Sequence, residues 1–362
     1  MKTKNLFKLV ALSGAIILSS CSKNDPDPVA CSVEAPAEYA FNHEGTSTVS
    51  YSGQAGRLAT AKSVYDALNA DATIDRAALD LIIDNDNSKL ITKTAENDAN
   101  RQMVIDHLNG ILDTYCANSG AYEAGTVAAI GTAGLWDGYE LDARGWEGDQ
   151  QYAKMLIGAL CLEQVNYDYL TKMDVDNTDR AYSDGNVYTK REHYYDEAYG
   201  YVYGLDDNDL DAEINNGLLL GKYLNKHNAS NAYSGVDYRQ RVYDAFKLGR
   251  QAVVEDCAEE LERQITEINH CLSKVVAWHA QDYLSSAATE LGTADFHHSI
   301  SEAWGFIYSL QYTKIDGAPI FSHAEVMNMI STLDAGNNGA WDLEAITLND
   351  MAATINSAVT FN

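Results

Sequence analysis

A histidine and a glutamate four residues apart occur twice, inside the same phrase of sequence. Residues 193–205 read HYYDEAYGYVYGL and residues 298–310 read HSISEAWGFIYSL. Residues four apart lie on one face of a helix, so each copy presents an imidazole and a carboxylate together. The recurrence indicates an internally duplicated helical unit. The identical positions are His193/His298, Glu197/Glu302, Ala198/Ala303, Gly200/Gly305, Tyr203/Tyr308 and Leu205/Leu310.

Three kinds of chemistry fit such a pair. It can give a nitrogen and an oxygen to one cation, or form a buried ion pair in which the carboxylate fixes the His tautomer. It can also be an exposed pair that contributes a few tenths of a kcal/mol. In both copies a glycine and large aromatic residues follow the glutamate, and glycine inside a helix costs about 1 kcal/mol relative to alanine. Its reuse predicts close helix contact, which disfavours the exposed pair and leaves the first two interpretations open.

We expect the two pairs to meet across a pseudo-symmetric interior and to bind a divalent or ferric cation. The first half of the chain offers two further candidates, Glu147 and Gln151, at the start of an apolar helix. They share a helix face with Lys154, so they either cap a solvated first turn or complete the site. The predicted metal ligands are His193, Glu197, His298 and Glu302.

The elements that must position these residues are predicted to be helices. Proline is absent from Ala37 through Ala318, in a stretch rich in Ala, Leu, Glu, Asp and Tyr. We therefore predict an all-α, internally duplicated fold of about ten helices in two bundles. Residues 119–145 are rich in glycine and predict a long loop. Helical spacing of apolar residues predicts helices at 53–70, 94–117, 145–170, 189–204, 209–227, 236–291 (two helices or one bent one), 296–312, 322–333 and 342–358.

Two boundaries divide the chain into parts. Residues 1–20 combine a basic start with a short apolar run and are typical of a signal peptide. The sequence Leu18-Ser-Ser-Cys21 resembles a bacterial lipobox, which predicts lipidation of Cys21 and a flexible tether at 21–38. The polar stretch 174–186 separates an N-terminal half, 39–178, from a C-terminal half, 179–362, which carries both copies of the phrase.

The charge and the motifs restrict the class of function. With 53 acidic and 25 basic residues the formal net charge is −28, which argues against a nucleic-acid partner. Cations are natural ligands of such a field, although a soluble acidic surface explains the charge equally well. The sequence contains no HExxH zinc motif, GxSxG elbow, P-loop or dinucleotide fingerprint. His279 lies in an apolar run and is predicted to be a hydrogen-bonded core histidine.

Several stretches resemble a family of Bacteroidota lipoproteins catalogued as a domain of unknown function. The likeness lies in residues 143–170 and 191–205 and extends to 39–59 and 245–256. It implies a distant similarity to imelysin-like proteins, which are duplicated helical bundles with a His-x-x-Glu motif, and a setting of iron acquisition. Both copies here have His-x-x-x-Glu instead. The resemblance therefore transfers only His193 and Glu197, with their internal counterparts, as candidate ligands.

Taken together, the sequence predicts a non-enzymatic, lipid-anchored protein of the outer membrane, facing the periplasm or the cell exterior. Its predicted partner is a metal ion or a metal-bearing ligand, in iron acquisition. The alternative is an interaction protein that docks on an outer-membrane receptor, with the repeated phrase serving only as core. A hydrolase ranks third.

Overall fold

The computed structural model describes residues 31–70, 72–84, 89–183, 185–205, 218–229 and 236–361, with side chains omitted at 227–229. The predicted signal peptide, the lipidation site Cys21 and the tether up to residue 30 lie outside the described residues. So does the predicted helix start at Asp209. Residues Val33–Asn362 form one compact unit, so both predicted halves belong to it, and of the other unit, Met1–Ser32, only the last two residues are described.

The architecture is all-α, as predicted. Two small antiparallel hairpins accompany the helices: β1 (Asn42–His43) with β2 (Thr46–Ser47), and β3 (Gly134–Trp136) with β4 (Tyr139–Leu141). None of the helices in the described ranges is long and apolar enough to cross a bilayer. The twelve α-helices of those ranges are α1 (Ser52–Leu68), α2 (Arg76–Asp84), α3 (Leu90–Lys93), α4 (Arg101–Glu123), α5 (Gly148–Leu156), α6 (Lys190–Tyr203), α7 (Leu220–Ala229), α8 (Tyr238–Val254), α9 (Ala258–Glu290), α10 (Ala294–Ser309), α11 (His323–Leu333) and α12 (Ala345–Ala358).

The long helix α9 is the centre of the packing. It has 33 residues, about 50 Å of helix, and packs against α7, α8, α10 and α12. The predicted helical stretch 236–291 is thus two helices, α8 and α9, separated at Asp256, whose φ is 54°. Helix α10 is buried along almost its whole length, which places the second copy of the phrase inside the core.

Each copy of the phrase packs on a helix from the first half of the chain. Helix α6 carries the first copy and packs on α1, and α10 carries the second copy and packs on α5. A Cβ at Gly200 would lie 2.5 Å from Tyr51 Cβ, and a Cβ at Gly305 would lie 2.4 Å from Lys154 Cβ. The repeated glycine is therefore explained by close helix contact, as predicted from the sequence.

Two local predictions are wrong. The helix predicted at 94–117 begins only at Arg101 and continues to Glu123, because residues 94–100 form turns. The loop predicted at 119–145 contains the β3–β4 hairpin. Its turn residues Asp137 and Gly138 both have positive φ, 49° and 96°, as a two-residue turn between antiparallel strands requires. The Asp-Gly pair between apolar residues was the signal for this hairpin.

The helix predicted at 145–170 changes type along its length. After α5 the backbone becomes π-helical at Ile157–Leu162 and Gln164–Asp168, and it ends in a 3₁₀ turn at Tyr169–Thr171. Gly158 lies in the π-helical part and donates its N–H to Ser309 Oγ at 2.9 Å. A Cβ there would lie 2.4 Å from Ser309 Cα, so the glycine lets the end of α10 approach this backbone.

Candidate functional site

The start of α6 fixes the first His/Glu pair. Thr189 caps the helix by accepting a hydrogen bond from the N–H of Glu192 at 3.2 Å, and Glu192 Oε2 accepts one from the N–H of Thr189 at 2.7 Å. This capping box satisfies two backbone donors and sets the register of the following turn. The imidazole of His193 and the carboxylate of Glu197 then lie on one face of α6.

In the first copy the pair is partly open to solvent. His193 Nε2 lies 3.8 Å from Glu197 Oε2, and the two side chains are 23% and 16% exposed. The ring of Tyr188 stacks on the imidazole, with 4.5 Å between centroids and 11° between planes. From α1, Gln54 Nε2 donates to Glu197 Oε1 at 2.8 Å. Glu197 forms no ion pair with a lysine or arginine among the described residues.

In the second copy the pair has charged partners, and its glutamate is buried although His298 is 31% exposed. His298 Nε2 lies 3.9 Å from Glu302 Oε2, and its Nδ1 lies 2.7 Å from Glu147 Oε2. The ring of Tyr139, from β4, stacks on His298 with 4.9 Å between centroids. Because the Glu147 carboxylate accepts a hydrogen bond from Nδ1, it orients the ring and favours the tautomer protonated on that nitrogen.

A buried lysine neutralises the second glutamate. Lys154 Nζ, from α5, lies 2.7 Å from Glu302 Oε1, and both side chains are almost completely buried. The hydroxyl of Tyr223 donates to the same oxygen at 2.8 Å, and the Lys154 ammonium lies over the Tyr223 ring. The buried carboxylate therefore has a positive charge and a hydroxyl as partners, which a buried carboxylate requires.

The two pairs lie in separate surroundings and share no direct partner. The first has Gln54 and Tyr188, and the second has Glu147, Lys154, Tyr223 and Tyr139. Within the described part of the chain, no group of three or more His, Cys, Asp or Glu residues is arranged to hold a metal ion. The expected meeting of both pairs in one interior site is therefore not what the structure shows.

With this geometry established, comparison with known proteins places the chain. The family model described as Domain of unknown function (DUF4856) matches residues 36–121 and 92–362. The chain belongs to this family. No curated protein and no solved structure matches it. The likeness of this DUF4856 member to imelysins stays a prediction.

Electrostatics distinguish the carboxylates of the second copy of this DUF4856 chain. Burial raises the pKa of Glu147 to about 7. Burial opposes ionisation of Glu302 as well, but the charges of Lys154 and His298 hold the pKa of that carboxyl well below its usual range. The pKa of His298 is raised, because the Glu147 carboxylate outweighs the effect of burial. Near neutral pH, Glu302 is therefore ionised, while Glu147 and His298 titrate as a coupled pair.

Sequence reasoning placed Glu147, Gln151 and Lys154 on one helix face. In the structure Gln150 contacts Lys154: its Oε1 accepts a hydrogen bond from Lys154, and its Nε2 donates to Asp149 at 2.7 Å. Gln151 lines a cavity. Positions 150 and 151 both fit the spacing of this helix face, so the spacing alone does not decide which glutamine contacts Lys154.

The other partners in the DUF4856 site were missed. Gln54, Tyr139 and Tyr223 are distant in sequence from the pairs that they contact, so no spacing rule could have found them, whereas Tyr188 lies five residues before His193. The prediction for His279 is confirmed. It is buried, its Nε2 lies 2.9 Å from the carbonyl oxygen of Tyr223, and burial lowers its pKa to about 3.

Proposed function

We propose that the protein is a membrane-anchored lipoprotein whose first His/Glu pair, His193 and Glu197, binds a metal through a metal-bearing ligand. The observation that carries the proposal is that this pair is partly exposed and that no lysine or arginine of the described residues forms an ion pair with Glu197. An imidazole and a carboxylate lie side by side there, and Gln54, which is uncharged, is the hydrogen-bond partner of the glutamate.

The geometry of the pair suits a shared cation. A tetrahedral metal with bonds of about 2.0–2.1 Å to nitrogen and oxygen holds these two ligands roughly 3.3 Å apart. The observed separation of His193 Nε2 and Glu197 Oε2 is 3.8 Å, so small side-chain rotations bring both atoms to bonding distance. The side-chain carbonyl of Gln54 is a third, weaker donor nearby.

The small number of strong donors favours a metal-bearing ligand over a bare ion. One imidazole and one carboxylate leave most coordination positions of a transition metal unfilled, and the described residues contribute no third His, Cys, Asp or Glu at this place. A chelate that arrives with some positions already filled needs only two ligands from the protein.

The second pair has a different role in this proposal. The ammonium of Lys154 already neutralises Glu302, and His298 Nδ1 is bonded to Glu147. A second cation beside Lys154 would be repelled, so we restrict the metal to the first copy. His298 and Glu302 then stabilise the core and are not ligands.

The lipid anchor, the outer-membrane location and the role in iron acquisition are supported by sequence alone. The lipobox at Leu18–Cys21 and the acidic tether support anchoring. Neither imidazole is bonded to a serine, threonine or cysteine side chain among the described residues, which supports binding over hydrolysis.

Chelates with and without free coordination positions test the proposal by calorimetry. The Fe³⁺ and Ni²⁺ complexes of nitrilotriacetate keep two positions open, whereas EDTA supplies six donors and does not leave two positions for a pair of protein ligands. We expect the purified protein to bind the nitrilotriacetate complexes and not the EDTA complexes. His193→Ala and Glu197→Ala each weaken binding at least about tenfold, while the matched variant His298→Ala retains it. A wild-type protein that binds neither chelate nor free metal would refute this function and favour docking on a receptor.

A further inference from the structure

A cavity of about 290 Å³ lies beside the second copy, and Trp304, two residues after Glu302, lines it. Its walls come from α4, from the start of α5 and from α10. Four of the residues that line it have aromatic side chains, Tyr115, Tyr122, Trp146 and Trp304. The cavity is smaller than the pockets that take drug-sized ligands, which begin at about 300 Å³, so it suits a single ring.

Gln151 supplies an unused polar group to this cavity. The residue is 8% exposed, and its side-chain amide forms no hydrogen bond with any described residue. Since Gln151 lines this cavity, a ligand held there can both donate to and accept from its amide.

The remaining polar groups define the chemistry of the ligand. No lysine or arginine is among the described residues that line the cavity, which disfavours an anion. The Asp142 carboxylate is used by the backbone N–H groups of Arg144 and Trp146, at 2.8 and 2.9 Å. The wall also includes Thr114, Asp106, whose Oδ1 accepts a hydrogen bond from Gln102 Nε2 at 2.9 Å, and His107, whose Nδ1 lies 3.0 Å from Tyr308 Oη.

We propose that this cavity binds one ring of a neutral sugar. Aromatic faces pack against the apolar C–H face of a pyranose ring, and hydroxyl groups at its edge pair with amide, hydroxyl and carboxylate groups that can donate or accept. The cavity belongs to the second copy alone. At the position equivalent to Trp304, Tyr199 is covered by Tyr39, with 3.6 Å between the stacked rings. This proposal does not depend on metal binding at His193 and Glu197.

A panel of neutral sugars tests it with the full-length protein. Titrations with glucose, galactose, mannose and N-acetylglucosamine are followed by tryptophan fluorescence, because two of the five tryptophans line the cavity. We expect saturable binding of at least one sugar. Gln151→Met keeps the side-chain volume and removes the amide, and it should weaken binding at least about tenfold. Thr114→Val removes a second polar group, the hydroxyl, and because Thr114 lies on the exposed side of α4 it does so without disturbing the core.

Two controls make the result decisive. His193→Ala should leave the sugar affinity unchanged, which separates this site from the metal site. An organic cation of similar size, n-butylammonium, should not bind. The proposal is overturned if no sugar binds the wild-type protein, if n-butylammonium binds in place of the sugars, or if Gln151→Met and Thr114→Val both bind as tightly as wild type.

Discussion

The two copies of the repeated phrase share sequence and backbone but not chemistry. The ring stacked on the histidine is Tyr188, just before α6, in the first copy, and Tyr139, from a hairpin of the first half, in the second. The partner of the glutamate is neutral Gln54 in one and cationic Lys154 in the other. A duplicated helix thus keeps its own side chains in register while the neighbouring helices, α1 and α5, decide what they can do.

The residue before each glutamate shows the same divergence. Asp196, in the first copy, forms a fully buried ion pair with Arg250, whose Nε lies 2.8 Å from its Oδ1. Ser301, in the second copy, accepts a hydrogen bond from the N–H of Glu147 at 2.9 Å. Each copy therefore contains one buried ion pair, but at neighbouring positions. In the first copy the ion pair is formed by Asp196, the residue next to Glu197. In the second copy it is formed by Glu302, one of the residues predicted as a metal ligand.

The largest expected difference between the copies comes from removing the partner of each glutamate. Lys154→Met leaves Glu302 buried without a positive charge and should lower the free energy of unfolding by about 3–5 kcal/mol. Gln54→Met removes one hydrogen bond from a partly exposed carboxylate and should cost about 1–2 kcal/mol. Urea denaturation measures both. Adding Glu302→Gln to Lys154→Met should recover part of the lost unfolding free energy. Equal losses for Lys154→Met and Gln54→Met would contradict the expected difference between the two copies.

The repeated glycines should respond alike, because both copies need close helix contact. Gly305→Ala and Gly200→Ala each place a Cβ within about 2.5 Å of another Cβ and should lower the free energy of unfolding by about 1–3 kcal/mol. Gly110→Ala, within α4, meets no atom within 4 Å and should stabilise by up to about 1 kcal/mol. Thermal unfolding of the three variants measures these differences in stability. If Gly110→Ala destabilises the protein as much as the other two variants, close helix contact does not explain the repeated glycines.

The pH dependence of stability should reveal the titration of Glu147 beside the second copy. Burial raises the pKa of Glu147 to about 7, whereas a glutamate in the unfolded chain titrates near 4.3. The folded state binds the proton more tightly between these values, so this contribution to stability is complete below about pH 4.3 and is lost as the pH rises towards 7. The raised pKa of His298 acts in the same direction.

Glu147→Gln removes this titration. Relative to the variant, the wild-type protein should lose about 1–3 kcal/mol of unfolding free energy between pH 4.3 and 7, measured by urea denaturation across that range. Gln54→Met, in the first copy, should keep the wild-type slope. If Glu147→Gln leaves the slope of unfolding free energy against pH unchanged, the pKa of Glu147 is not raised in the folded protein.

The smallest expected difference concerns the helix starts. Thr189 caps α6 in a reciprocal box with Glu192, whereas Thr293 caps α10 through a single hydrogen bond to the N–H of Phe296 at 3.3 Å. Thr189→Ala should cost about 1–2 kcal/mol and Thr293→Ala about 0.5–1 kcal/mol. Chemical denaturation resolves such values, and a larger loss at Thr293 would reverse the ranking.

Much of the fold was predictable from the sequence because its signals are local. The spacing of apolar residues predicted the helices at 53–70, 189–204 and 322–333 within a few residues. The two repeated glycines correctly predicted close helix contact. The π-helical turns after Leu156 were not predictable, because they depend on how the end of α10 packs against Gly158. The β3–β4 hairpin was predictable from Asp137-Gly138 but was overlooked.

The candidate site shows where local signals end. The sequence by itself determined that two imidazole–carboxylate pairs exist and that each lies on one face of a buried helix, because spacing along a helix fixes which residues share a face. Only the tertiary structure decided that Lys154 neutralises Glu302 while Gln54 contacts Glu197, and that the pairs do not meet. Those contacts join residues distant in the chain, and the free energy of a buried charge depends on the charges around it, which no sequence spacing specifies.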